Sequence, residues 1–140
     1  NRHGDAELEA HSLLARALVE GGKLSEARKE IDQAALLAGK AQNRAARLEF
    51  SIVAAQVRSA SGKASDVVEA EKSLQTVLVE AERNGFLGYQ LEARLALATI
   101  QFKAGRAPGS KVLAALQTEA EAKGFGLIAR KAAATAGGRV

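Results

Sequence analysis

What most constrains this chain is a punctuation mark that returns at a regular distance. Gly22-Lys23, Gly62-Lys63 and Gly105-Arg106 each close a long stretch with apolar residues at helical spacing, and each precedes another such stretch. A second marker recurs upstream of each: Leu8-Glu9-Ala10, Leu48-Glu49-Phe50 and Leu91-Glu92-Ala93. Both sets advance by about 40 residues and then by about 43. Self-similarity at such a period means one supersecondary unit used repeatedly, each copy burying its apolar face against its neighbours.

Within each unit the pattern predicts two antiparallel helices. In the first, Leu8, Leu14, Ala15 and Leu18 share a face and Gly22 is the stop. The partner helix begins after Leu24 with Ser25 as N-cap, carries Ala27, Ile31, Ala34, Ala35 and Ala38, and ends at Gly39. The second unit runs through Leu48, Ile52 and Ala55 to Gly62. It continues from a cap at Ser65 through Val67, Leu74, Val77, Leu78 and Ala81 to Gly85. The third runs through Leu91, Leu95, Ala98 and Phe102 to Gly105, then through Val112, Leu113, Leu116 and Ala120 to Gly124. Pro108 falls near the first turn of that last helix, where its missing N–H does no harm. A seventh helix follows, and Gly124-Phe125 ahead of it echoes Gly85-Phe86, so it reads as half of a further repeat serving as a cap. The expected boundaries are repeats at 5–42, 43–85 and 86–124, a capping helix at 125–136 and a frayed tail at 137–140, together one domain. No strand signal competes.

Composition agrees with helix. About thirty of the 140 residues are alanine and one is proline, and small side chains let helices approach closely. The net charge of +4 is spread among interleaved Lys, Arg and Glu, the pattern of solvated helix faces. Without cysteine there is neither a disulfide framework nor a thiolate site, and the compartment stays open, with a slight lean to the cytoplasm. No apolar run reaches the roughly 18 residues of a membrane span. A chain that starts at Asn1 and has no methionine reads as a piece of a longer protein.

These residues resemble the tetratricopeptide repeat. Leu14 and Ala15 match its leucine and small residue, Leu18 its tyrosine, Gly22 its turn glycine, and Ala27, Ile31 and Ala34 its packing positions on the second helix. His11 replaces the usual tryptophan, and Gly39 stands where proline is common. The later units fit at Ala54-Ala55 and Leu97-Ala98, but their second helices need about three extra residues after the turn before Leu74 or Leu113 falls into place. The resemblance implies an all-α fold, a right-handed α-α superhelix of about three helix pairs plus the capping helix. The run from Gly85 to Arg94 also looks like degenerate repeat regions of large bacterial regulatory proteins.

Chemistry has few places to live. Two histidines (His3, His11) and three aspartates (Asp5, Asp32, Asp66) offer no metal-ligand spacing, and no glycine fingerprint for nucleotides follows a strand. No catalytic residue, metal or cofactor is expected. The resemblance instead implies a groove lined by the first helices. Its positions would be Glu9, Ser12, Arg16 and Val19, then Glu49, Ile52, Gln56 and Ser59, then Glu92, Leu95, Thr99 and Phe102. A clamp for peptide carboxylates is not expected, because the matching positions hold Ser12, Arg16, Val53, Glu92 and Ala96. The leading expectation is a non-catalytic module in a larger regulatory protein that binds another protein or peptide, with Arg16 and Phe102 as anchors. Nucleic-acid binding through Arg44, Arg47, Arg94, Arg130 and Lys131 is the alternative. A spacer or homo-oligomer surface around Phe86, Leu87 and Tyr89 is another.

Overall fold

A computed structural model describes residues 2–106 and 109–137. Pro108 and the tail residues 138–140, for which expectations were stated, lie outside the described residues. The described residues form seven α-helices and no strand: α1 (Arg2–Glu20), α2 (Leu24–Lys40), α3 (Arg44–Ser59), α4 (Ala64–Arg83), α5 (Leu87–Lys103), α6 (Gly109–Ala122) and α7 (Gly126–Ala136). The protein is all-α.

The glycine punctuation ends helices in the way its chemistry allows. Gly22 has φ of 77°, a left-handed conformation that costs any side chain with a Cβ. It lets the Lys23 N–H reach the Leu18 carbonyl at 2.8 Å and the Gly22 N–H reach that of Val19 at 3.0 Å, the paired bonds of a Schellman stop. Gly85, Gly105 and Gly124 close α4, α5 and α6 through the same pair of bonds.

Three local expectations need correction. Ser25 and Ser65 are not caps, because α2 already begins at Leu24 and α4 at Ala64, each straight out of its glycine turn. The position before α2 is Lys23, which makes no side-chain cap bond. Gly39 is no stop either, since α2 continues to Lys40 and the chain turns extended at Ala41. A side-chain cap does stand at Asn43, ahead of α3, where the side-chain oxygen accepts from the Ala46 N–H at 2.9 Å. The extra residues of the second unit lengthen its second helix: α4 has 20 residues where α2 has 17.

The chain divides into two compact units, Asn1–Ser73 and Leu74–Val140, with the boundary inside α4. In the first, α1 packs on both α2 and α3, and α2 also packs on α3. One cluster joins Leu8, Ala34, Ala41 and Ala46, with Leu37, Ala38 and Phe50 against it. A second joins Ala15, Ala27, Val53 and Val57, flanked by Leu18, Val19 and Ile31. Alanines at these contacts bring the helix axes close, and the leucines fill what remains. In the second unit α5 packs on α6 and α7, and α6 on α7. Its core holds Leu91, Leu95, Ala98, Leu113, Leu116, Ala120, Ile128, Ala129 and Ala132. Seven residues of α5 are buried, on every side of the helix, which matches its nearly continuous apolar sequence.

The expected face of α1 is rotated. Leu14 is 47% exposed, while Leu8, Ser12 and Ala15 are fully buried. That stripe, at spacings of four and three, carries small residues where α1 meets its neighbours and leaves Leu13 and Leu14 outside.

Candidate functional site

The first unit carries eight of the expected groove residues, on α1 and α3. An ion pair ties the two helices across their polar edge: Arg16 Nη2 lies 3.1 Å from Glu49 Oε1, with both side chains mostly shielded from solvent. Around it, Glu9 is exposed, and Gln56 and Ser59 are half-buried. The Ser59 hydroxyl donates back to the Gln56 carbonyl at 3.0 Å, which holds it against its own helix. Val19 is half-buried against the Ala15–Val53 cluster.

Two of the eight positions offer nothing to a partner. Ser12 and Ile52 are buried, because each continues the packing stripe of its helix rather than the polar edge beside it. Ser12 is also unusual energetically, since its hydroxyl is enclosed with no hydrogen-bond partner. Such a group forfeits its hydration without replacement.

The second unit carries the other four on α5. Leu95 is buried in the α5–α6–α7 core and is likewise removed from any ligand surface. Glu92 and Thr99 are half-buried. Phe102 is half-buried and packs on the core. A Cβ at Gly109 would come within 3.0 Å of its Cα, so Phe102 is a packing residue at the α5–α6 corner, and its ring is only partly available as an anchor.

Three polar contacts emerge that the sequence reading did not pair. The His11 ring N–H donates to Glu30 at 2.6 Å, linking α1 to α2. Arg94 donates to Glu119 at 2.8 Å, linking α5 to α6, and Lys123 reaches the same carboxylate at 3.2 Å. The hydrogen bond from Arg94, then that from Lys123, hold the Glu119 carboxyl below its usual range against a smaller opposing effect of burial. At the α3–α4 turn, Asp66 accepts from the Ser61 hydroxyl at 2.7 Å and from Arg58 at 3.4 Å. The Ser61 bond is the larger cause of its lowered pKa, opposed by desolvation and assisted by Arg58 and Lys63. Sequence could have suggested the last, whose partners lie within eight residues, and the Lys123–Glu119 pair four residues apart, but not the contacts between helices.

The basic residues of the nucleic-acid alternative are partly engaged. Arg94 is neutralised by Glu119, and Arg47 donates to the Ala41 carbonyl at 2.7 Å across the α2–α3 turn. Phe86 and Tyr89 meet edge to face, with ring centroids 6.2 Å apart, and both are half-buried. Among the described residues no three His, Asp or Glu side chains gather as metal ligands would. Nor, among them, is any helix long and apolar enough to cross a membrane. No family model matches the chain, and comparisons with curated proteins and with solved structures find no match.

Proposed function

We propose that this chain is a tetratricopeptide-like helical-repeat module, a right-handed superhelix of helix pairs, that binds an extended peptide or protein segment along the edge formed by its first helices α1 and α3 and performs no catalysis. The observation that carries this reading is the α1–α3 edge. There two first helices lie side by side, tied by the Arg16–Glu49 pair and bordered by Glu9, Val19, Gln56 and Ser59. Packing of the leading helix on the two that follow, α1 on α2 and α3 in one unit and α5 on α6 and α7 in the other, supports the repeat architecture. An edge of mixed polar and apolar groups on rigid helices suits peptide recognition, in which backbone hydrogen bonds and a few anchors supply affinity. A place within a larger bacterial regulatory or signalling protein fits the resemblance of its repeats.

The test is selection of peptides from a displayed random library against the native protein, followed by binding to a charge-swapped variant, Arg16→Glu with Glu49→Arg. The swap keeps the ion pair and inverts the field of the edge. Selected peptides are expected to lose at least tenfold in affinity for the swapped protein. Peptides that bind both proteins equally, or a library that yields no binder, would refute the assignment.

A further inference from the structure

The alignment of α1 and α3 decides which groups their shared edge can offer a ligand. The two helices run parallel and in step. Leu8 shares a cluster with Ala46, against which Phe50 packs, and Ala15 shares one with Val53 and Val57. Gln56 of α3 therefore stands level with Arg16 of α1. The Arg16 guanidinium is engaged elsewhere, on Glu49, whose backbone stands about 10 Å back along the axis of α3.

The other polar groups of the edge are mostly committed. The Ser59 hydroxyl is turned back onto the Gln56 carbonyl, and Ser12 is enclosed. Glu9 is exposed, but a carboxylate only accepts hydrogen bonds. Gln56 is different. Its side chain is half-buried, and neither its amide oxygen nor its amide nitrogen is bonded to another of the described residues. Neither atom is enclosed, so both can be reached by a ligand. The backbone beneath them is held firmly. The Gln56 carbonyl accepts from the Ser59 hydroxyl at 3.0 Å and from the Ala60 N–H at 3.2 Å, and Val53, Ala55 and Val57 around it are buried.

A primary amide carries an acceptor and a donor side by side. In an extended chain the N–H and C=O of one residue point to the same side, as they do in a strand facing its neighbour. The two sets are complementary, and half-burial strengthens such bonds by lowering the local dielectric. A carboxylate lacks the donor for this pairing and a guanidinium lacks the acceptor.

We infer that the Gln56 side chain grips the backbone of the bound segment, its oxygen accepting the N–H of one residue and its nitrogen donating to the C=O of the same residue. The ligand is then an extended segment with a free N–H at the gripped position, where proline is excluded. This assignment rests on the peptide-binding reading of the α1–α3 edge.

The experiment takes the tightest peptide from the displayed library and analogues of it N-methylated at one residue at a time. Each is titrated calorimetrically into the native protein and into Gln56→Met, which keeps the length and helix propensity of the side chain and removes its amide. Circular dichroism and the urea midpoint check that the variant folds. With the native protein, N-methylation at one inner residue is expected to weaken binding about tenfold. Gln56→Met should weaken the unmodified peptide by a similar factor, and N-methylation at that residue should then cost nothing more. Gln56→Glu, of the same shape, keeps the acceptor and loses the donor, so it should bind more weakly yet stay sensitive to the N-methyl group. Equal N-methyl losses in native protein and Gln56→Met, or unmodified peptide bound equally by both, overturn the inference and leave the peptide-binding edge standing. A library without binders, or binders indifferent to the Arg16–Glu49 swap, overturns both.

Discussion

Replacing Leu8 by alanine removes three carbons from a position with no solvent exposure. The transfer cost is about 2.4 kcal/mol, at ~0.8 kcal/mol for each buried carbon. A cavity cost adds to it, since Leu8 is walled by Ala34, Ala41 and Ala46, and alanines have no side chain that can swing in to fill the space. The sum is about 3 to 4 kcal/mol, enough to lower the Tm by on the order of 10 °C. Leu14→Ala is the internal control. Leu14 is 47% exposed, so it forfeits about half the transfer energy and leaves no cavity, costing about 1 kcal/mol. Leucine and alanine are both strong helix formers, so propensity does not blur the comparison. Urea denaturation followed by circular dichroism at both positions gives the two numbers. Equal costs, or a larger cost at Leu14, would mean that α1 is rotated toward the face that its sequence resemblance favours, and would refute the packing of Leu8, Ser12 and Ala15 against α2 and α3.

Other expectations follow from single residues. Ser12→Ala should stabilise by about 1 kcal/mol, because it deletes an enclosed hydroxyl without a partner and gains helix propensity; a lower urea midpoint would show that the hydroxyl is bonded. The adjacent Gly21 and Gly22 should respond oppositely. Gly22→Ala forces a Cβ into φ of 77° with no contact to relieve or worsen it and should cost about 1 kcal/mol, whereas Gly21→Ala meets only ordinary contacts and should be neutral or slightly stabilising. The depressed Glu119 carboxyl contributes stability that is complete above its unfolded pKa and is lost as pH falls through its folded value. Glu119→Gln should therefore lower the Tm at neutral pH, and the difference should vanish on acidification. A gap that persists in strong acid would assign the effect to something other than charge.

The turns were the most legible part of the sequence. A glycine with a left-handed φ has few substitutes, so Gly22, Gly62 and Gly105 marked their turns without any knowledge of packing. The face of α1 was not legible, because Leu8, Leu13, Leu14, Leu18 and Val19 place apolar side chains around much of the helix and periodicity alone cannot choose among them. The choice fell to shape: a stripe including Ser12 and Ala15 lets α2 and α3 approach, and hydropathy assigns a serine to the outside. The caps at Ser25 and Ser65 failed for a local reason, since a left-handed glycine delivers the chain directly into the next helix and moves its start one residue ahead of the serine. The Arg16–Glu49 pair joins residues 33 positions apart in sequence and depends on how two helices align, information that no single stretch contains. For the same reason Ser12, Ile52 and Leu95 were assigned to a groove and are core.

The most direct test of the binding reading is a residue-resolved titration. The 15N-labelled protein would be titrated with the tightest peptide from the displayed library, following backbone amide shifts. The largest perturbations are expected to fall together on Glu9, Arg16, Val19, Gln56 and Ser59, with the outer face of α2 unmoved. Perturbations centred on α2, or spread evenly over the chain, would contradict it.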